Sequence, residues 1–282
     1  MFVVIGAGTM GVGIAYVAAN AGYQVELVEV DPDRRVAARA ELERLWHGAV
    51  ARRRLTAAEA VDAGTRVGFA ESVAGGAEVV VEAVPERLDL KREVLAQAAA
   101  ARPGLLASNT SSIPISALGA GVIGLHFFNP VWAMPLVEIV VGAGTPPGAV
   151  DAARAVAARL GKDPIVVRDR PGFATSRLGV ALGLEAIRML EDGVAGAADI
   201  DKAMVLGYRH PVGPLELTDL VGLDVRLDIA RTLAAAYGPR FEPPSLLVSL
   251  VEAGRLGRKT GHGFYRWDDG RLVSGSGITA PG

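Results

Sequence analysis

The chain contains no cysteine. This excludes disulfides, thiolate metal sites and a cysteine nucleophile, and it leaves the redox compartment open. An excess of one charge sign is also missing. The 29 Lys and Arg against 31 Asp and Glu give a net charge of -2, with both signs spread along the chain, which argues against a nucleic-acid surface and against a polybasic membrane contact. Charge is absent locally as well, since the first charged side chain is Glu26 and Pro103 to Val137 has no Asp, Glu, Lys or Arg. Neither stretch reads as a membrane span. The first lacks a basic n-region and is broken by Gly6, Gly8, Gly11 and Gly13, and the second is dense in Ser, Asn, Pro and Gly. Both read as buried α/β core. With half of its 282 residues apolar, the chain can fill the core of a globular protein of one large or two ordinary domains.

What is present begins at the amino terminus. The run Phe2-Val3-Val4-Ile5 feeds into Gly6-Ala7-Gly8-Thr9-Met10-Gly11, and Glu29 closes a second apolar run, Val25 to Val28. Gly6 permits a tight turn, Gly8 lets a pyrophosphate approach the backbone, and Gly11 lets the following helix pack on the strand, with Thr9 and Met10 inside the loop. The helix N-terminus then offers unpaired N–H groups to the phosphates. Glu29 takes the ribose hydroxyls, and its charge favours NAD over NADP by repelling a 2′-phosphate, although Arg34 and Arg35 lie close by. No metal site is expected.

Apolar runs recur at β-α-β spacing: Phe2 to Gly6, Gln24 to Val30, Glu78 to Ala83, Leu105 to Ser108, Val122 to His126, Leu136 to Val141 and Ile165 to Val167. They predict an α/β fold with a doubly wound, mostly parallel Rossmann-type sheet over residues 1–170. The return at Leu136 is too close to His126 for a helical crossover, so those two strands pair antiparallel. Between strands two and three, a helix from Arg34 to about Arg54 and a capping box at Thr56-Ala57-Ala58-Glu59 predict an antiparallel helical arm. From residue 171 to 282 only helical patterns remain: Phe173 to Asp192, Ala198 to Leu206, Leu215 to Tyr237 and Ser245 to Ala253. This second domain reads as all-α, ending in a frayed tail from Ser274 to Gly282.

Of the four histidines, only His126 ends an apolar strand, where open α/β sheets bind ligands. A proton-transfer group is what the protein must add to a hydride-accepting cofactor. Glu138, with apolar residues on either side, becomes its partner if the strand pairs back beside it; the bond would fix the imidazole tautomer and stabilise the imidazolium. The other readings are a structural histidine with one satisfied hydrogen bond and a carboxylate on a solvated edge face.

Four blocks, His126-Phe127-Phe128-Asn129-Pro130, Ser108-Asn109-Thr110-Ser111-Ser112, Val81-Glu82-Ala83-Val84-Pro85-Glu86 and Gly213-Pro214-Leu215-Glu216-Leu217-Thr218-Asp219, occur in this chain. Together with Arg258 to Tyr265 they resemble the L-3-hydroxyacyl-CoA dehydrogenase family, including its 3-hydroxybutyryl-CoA members, over nearly the whole chain. The resemblance implies NAD-dependent oxidation of an L-3-hydroxyacyl-CoA to the 3-ketoacyl-CoA. It implies His126 as general base with Glu138 as its partner, and Ser111 and Asn129 on the substrate oxygens. It also implies Glu29 on the adenosine ribose, Glu86 and Lys91 near the nicotinamide, and an arm that grips the CoA nucleotide, where Arg52-Arg53-Arg54 falls. A cytoplasmic enzyme with an acyl-CoA thioester partner and a homodimer formed through the C-terminal domain is expected.

Two residues depart from the family pattern. Ser176 precedes Arg177 where the family usually has a substrate-facing asparagine, and Pro135 replaces a lysine found in many members. The alternatives at this point are a gulonate-dehydrogenase-like hydroxy-acid dehydrogenase of the same two-domain plan and a non-catalytic NAD-binding protein. Chain length of the acyl group is open, as is the choice among butanoate, fatty-acid and aromatic catabolism.

Overall fold

In the computed structural model residues 1–280 are described, and the chain divides into two units, Met1–Phe173 and Ala174–Gly282. The first unit is built on eight strands: β1 (Phe2–Ile5), β2 (Val25–Val28), β3 (Val67–Ala70), β4 (Val79–Glu82), β5 (Leu105–Ser108), β6 (Val122–Phe127), β7 (Leu136–Val141) and β8 (Asp163–Arg168). They lie in the order β3-β2-β1-β4-β5-β6-β7-β8, parallel throughout except for the antiparallel pair β6 and β7. The helices are α1 (Thr9–Asn20), α2 (Pro32–Ala51), α3 (Ala57–Thr65), α4 (Leu88–Ala100), α5 (Ile115–Leu118) and α6 (Ala149–Arg159).

The continuous apolar runs follow from burial on both faces, as parallel sheets require. Phe2, Val4, Val79, Val81, Leu105 and Ala107 point to one core, shared with α1 and α6, while Val3, Ile5, Val80 and Leu106 point to another, shared with α4 and α5. This is the two-residue alternation of a strand. The two uncharged stretches fall within this core, as β1 with α1 and as β5 through β6. Among the described residues no helix is long and apolar enough to cross a membrane.

Strand β3 is absent from the expected series. It has four residues, is interrupted by Gly68, and lies half-exposed at the sheet edge beyond β2, so it carries no apolar run to detect. The arm forms. Asp31 caps α2 by accepting from Asp33 N and Arg34 N, with Pro32 next, so the helix starts two residues earlier than expected. Thr56 and Glu59 make the reciprocal capping box of α3. The base of the arm packs on α1, with Trp46 Nε1 donating to Asn20 Oδ1 at 3.1 Å and the Tyr16 and Trp46 rings 5.6 Å apart.

The second unit comprises α7 (Thr175–Glu191), α8 (Ala197–Gly207), α9 (Pro214–Val221), α10 (Leu223–Tyr237) and α11 (Ser245–Glu252), around a core that includes Leu184, Ile187, Leu215, Leu227 and Phe264. It is helical, with one addition, a hairpin of β9 (Trp267–Asp268) and β10 (Arg271–Leu272). The single helix expected over Leu215 to Tyr237 is two, because Gly222 at φ +105° turns the chain out of the right-handed region. The expected frayed tail is also corrected. Ala197 N donates to Ile278 O at 2.8 Å and Ile278 N to Phe264 O at 3.0 Å, so the segment is tied into the bundle. The last two residues of that expectation, 281 and 282, lie outside the described residues.

Candidate active site

The glycine turn after β1 opens on a cleft of about 750 Å³ lined by Gly6, Gly8, Thr9, Met10, Glu29, Arg34, Val84, Pro85 and Arg87, among others. Each glycine has a separate physical reason. Gly6 has φ +103°, and a Cβ there would stand 2.9 Å from Ala83 O; at Gly11 a Cβ would fall 1.8 Å from Gly6 O. Gly8 has no heavy atom within 4 Å of its would-be Cβ, so the space beside its backbone is left open. Gly8 is also the N-cap of α1 and makes no side-chain cap, so the first-turn N–H groups are available to an anion. Glu29 reaches across this turn, accepting from Ala7 N (Oε2, 3.2 Å) and Asp31 N (Oε1, 3.2 Å). Arg35 is turned away from the cleft, donating to Glu29 O and Glu71 Oε1. Arg34 lines it but pairs with Asp31 at 3.7 Å. These residues fit a dinucleotide with free ribose hydroxyls.

Beyond the cleft, two glutamates and a lysine form a network at the end of β4. Glu82, fully buried, accepts from Lys91 Nζ (2.7 Å), Val84 N (2.7 Å) and Ser108 Oγ (2.6 Å). Lys91 is 1% exposed and spends its other donors on Val84 O at 3.1 Å and Glu86 Oε2 at 3.2 Å. Its three ammonium hydrogens therefore all have protein partners. Glu86 Oε1 in turn gathers Thr110 Oγ1 (2.6 Å), Ser111 N (3.1 Å), Ser112 N (3.0 Å) and Ser112 Oγ (2.9 Å). Burial pushes its carboxyl up, but Lys91 and the hydroxyls of Thr110 and Ser112 outweigh burial and hold it below the usual glutamate value. Glu86 thus fixes the turn that presents Ser111, which is exposed. Glu82 carried no assigned role in the sequence; its signal was the one that marked Glu29, a carboxylate closing an apolar run.

The antiparallel register sets His126 directly opposite Glu138. Nδ1 lies 2.7 Å from Glu138 Oε2, with the imidazole 7% exposed and the glutamate fully buried. An ionised carboxylate only accepts, so opposite an ionised Glu138 the ring proton sits on Nδ1 and Nε2 presents its lone pair. Phe128 and Phe173 flank the imidazole at 4.5 and 5.8 Å between centroids. Asn109 Oδ1 accepts from Phe127 N at 2.8 Å, tying the strand end to the Ser108–Ser112 turn. Asn129 follows in the exposed connection to β7. Lys162, buried, donates to Val131 O and to Met134 O and holds that connection; it too went unremarked in the sequence.

Arg52, Arg53 and Arg54 occupy the tip of the arm, exposed and without ion pairs among the described residues, with Arg53 at φ +55° in the turn between α2 and α3. A second cavity, of about 600 Å³ under the arm, is lined by Leu42, Trp46, Val61 and Phe69 and contains none of these site residues. In the second unit, Ser176 is the second residue of α7, whose N-cap is Ala174; Ser176 is not the capping residue.

A family model for the NAD-binding domain of 3-hydroxyacyl-CoA dehydrogenase matches residues 2–170, and one for its C-terminal domain matches residues 172–267. The chain is 40% identical over 277 residues to a 3-hydroxybutyryl-CoA dehydrogenase of Mycobacterium tuberculosis, covering 94% of this chain and 97% of the relative. It is 37% identical over 277 residues to a probable 3-hydroxybutyryl-CoA dehydrogenase of Bacillus subtilis, covering 94% and 96%. Among solved structures, (S)-3-hydroxybutyryl-CoA dehydrogenase of Ralstonia eutropha superposes with a TM-score of 0.90 at 36% identity, over 95% of this chain and 99% of that one. This chain belongs to the 3-hydroxyacyl-CoA dehydrogenase family of NAD-dependent oxidoreductases.

Proposed function

We propose that the protein oxidises L-3-hydroxyacyl-CoA thioesters, 3-hydroxybutyryl-CoA among them, with His126 as the general base. The observation that carries this reading is the buried contact of His126 Nδ1 with Glu138 Oε2 at 2.7 Å; with Nδ1 donating to the carboxylate, Nε2 is the nitrogen left to accept a proton. Bound NAD supplies the hydride acceptor. His126 Nε2 takes the proton of the substrate hydroxyl as the hydride leaves C3, and Glu138 stabilises the imidazolium that results. Ser111, fixed by Glu86, and Asn129 hold the substrate oxygens, and Ser176 supplies a hydroxyl in place of the usual amide. Glu29 takes the adenosine ribose hydroxyls. Glu86 and Lys91 act at the nicotinamide end, Lys91 through the glutamate that it neutralises. Arg52, Arg53 and Arg54 meet the CoA phosphates through charge-assisted contacts.

The test is NADH formation from 3-hydroxybutyryl-CoA by the wild-type protein and by His126→Ala. The variant is expected to lose roughly 10²- to 10⁴-fold in kcat with NADH affinity unchanged. Near-wild-type turnover would remove His126 from the role, and a higher kcat/KM with NADP than with NAD would overturn the reading of Glu29.

The active species proposed is a cytoplasmic homodimer joined through the helical unit. Leu178, Val194, Leu206, Tyr208, Leu217, Val221 and Val225 are exposed there, more large apolar surface than a monomer usually leaves in water. Light scattering at micromolar concentration should give twice the chain mass; a monomer would contradict this.

A further inference from the structure

Lys162, in the connection between α6 and β8, is 9% exposed, and its ammonium group makes no ion pair among the described residues. Burial alone pushes its pKa down, with no carboxylate to offset the loss of water. A lone buried cation is unfavourable, and an apolar side chain of the same length would fill the space without that cost. What the ammonium holds is therefore informative. Its acceptors are two carbonyls of the connection between β6 and β7, Val131 O and Met134 O, the latter at 2.8 Å. The next residue adds a third contact to the same segment, Asp163 N donating to Pro135 O at 2.8 Å.

The connection is shaped by two further sets of contacts. Ala133 N and Met134 N both donate to Pro130 O at 3.0 Å, closing a turn. Val131 packs on α1, where a Cβ at Gly13 would stand 2.8 Å from Val131 Cγ2, and Trp132 meets Tyr16 of the same helix with ring centroids 6.1 Å apart. This packing sets where the segment lies, but apolar contact is non-directional. The ammonium fixes how the carbonyls are turned, because charge-assisted hydrogen bonds are oriented and roughly twice as strong as neutral ones. Asn129 stands midway between two anchored residues. Two positions before it, Phe127 N donates to Asn109 Oδ1 at 2.8 Å, and two positions after it, Val131 O accepts from Lys162. Without the lysine, Asn129 keeps its hydrogen-bonded anchor on one side only.

We propose that Lys162 is a positioning residue for the reaction: by holding Val131 O and Met134 O it fixes the segment that carries Asn129, so that the amide meets the substrate oxygen in one orientation. This rests on the reading of Asn129 as a substrate residue. Lys162 acts through Asn129 and not on the proton-transfer pair, since His126 and Glu138 are placed by the ladder register.

The experiment is a double-mutant cycle of Lys162→Met and Asn129→Ala, read as NADH formation from 3-hydroxybutyryl-CoA. Lys162→Met should lower kcat/KM for the thioester about tenfold, as a small misplacement of a substrate-holding group does. KM for NAD and the His126 limb of the pH–rate profile should stay where they are. Placed on Asn129→Ala, the same change should cost less than about twofold more, because the amide that the lysine orients is already gone. Losses that multiply overturn the proposal, as does a shifted His126 limb. An unmoved kcat/KM in folded Lys162→Met overturns it too, and would make the lysine a support for stability alone. If Lys162→Met does not fold, Lys162→Arg, which keeps the charge but not the length, is carried through the same cycle and decides by the same criterion. Failure of the underlying reading shows separately: wild-type kinetics in Asn129→Ala alone would remove Asn129 from the substrate, and this proposal with it.

Discussion

Both units hold carboxylates in hydrogen-bonded settings, but they surround them differently. Glu82, Glu86 and Glu138 in the first unit face a lysine, side-chain hydroxyls and an imidazole. Asp201 and Asp219 in the second face backbone N–H groups and aromatic donors: Asp201 accepts from Leu215 N, Glu216 N and Tyr265 Oη, and Asp219 from Phe264 N, Tyr265 N and Trp267 Nε1. The partners of the first set can move protons or carry charge, so changing a carboxylate there changes chemistry. The partners of the second set are nearly all fixed points of the chain. Those aspartates staple the segment from Phe264 to Trp267 onto α8 and α9, and changing them changes the fold's stability.

The sharpest way to break this comparison is a pair of variants. Glu138→Gln should lower kcat about 10- to 100-fold, less than loss of His126, with little change in melting temperature; it keeps the shape but removes the charge opposite the imidazolium. Asp219→Ala should do the reverse. Leaving three buried donors without an acceptor costs about 3 kcal/mol, read as a lower unfolding midpoint with kcat per folded molecule unchanged. If Asp219→Ala slows turnover of the folded protein, the division between the two sets fails.

Acidity separates the sets a second time. Burial raises the pKa values of Asp201 and Asp219, despite the donors that oppose it. The folded state therefore favours their protonated forms. Their contribution is fully present below the ordinary aspartate value and is lost as pH rises through the raised values. Glu86 has the opposite sign: its lowered pKa contributes above the ordinary glutamate value and is lost as pH falls through the lowered one. In thermal melts from pH 7 to pH 4, wild type should gain stability relative to Asp219→Asn and begin to lose it relative to Glu86→Gln. The smallest expected effect is at the arm. Replacing Arg52, Arg53 and Arg54 by glutamine should raise KM for the CoA thioester several-fold, and raise it far less for a pantetheine thioester without the nucleotide.

How much of this could be read from sequence depended on the range of the interaction. The glycine turn, the capping box of α3 and the strands with two buried faces are local patterns, and each was legible. The pairing of His126 with Glu138 was legible as well, because a strand ending and another beginning nine residues later leaves an antiparallel return as the short connection. The strand β3 was not, since four half-exposed residues containing a glycine carry no periodicity. The break at Gly222 was hidden because the apolar spacing continues across it. Glu82 was hidden for a further reason. Its surroundings are assembled from α4 and β5, and no local window contains those partners.

The antiparallel step between β6 and β7 has a consequence for how the molecule tolerates change. The separation of His126 and Glu138 is set by ladder register and not by the residues that join the strands. Lengthening the connection after Asn129 would leave the pair in place, whereas slipping β7 by a single residue would turn Glu138 to the other side of the sheet. The dyad is thus decoupled from its own loop. That segment is free to be reshaped while the histidine and the glutamate stay where the strands hold them.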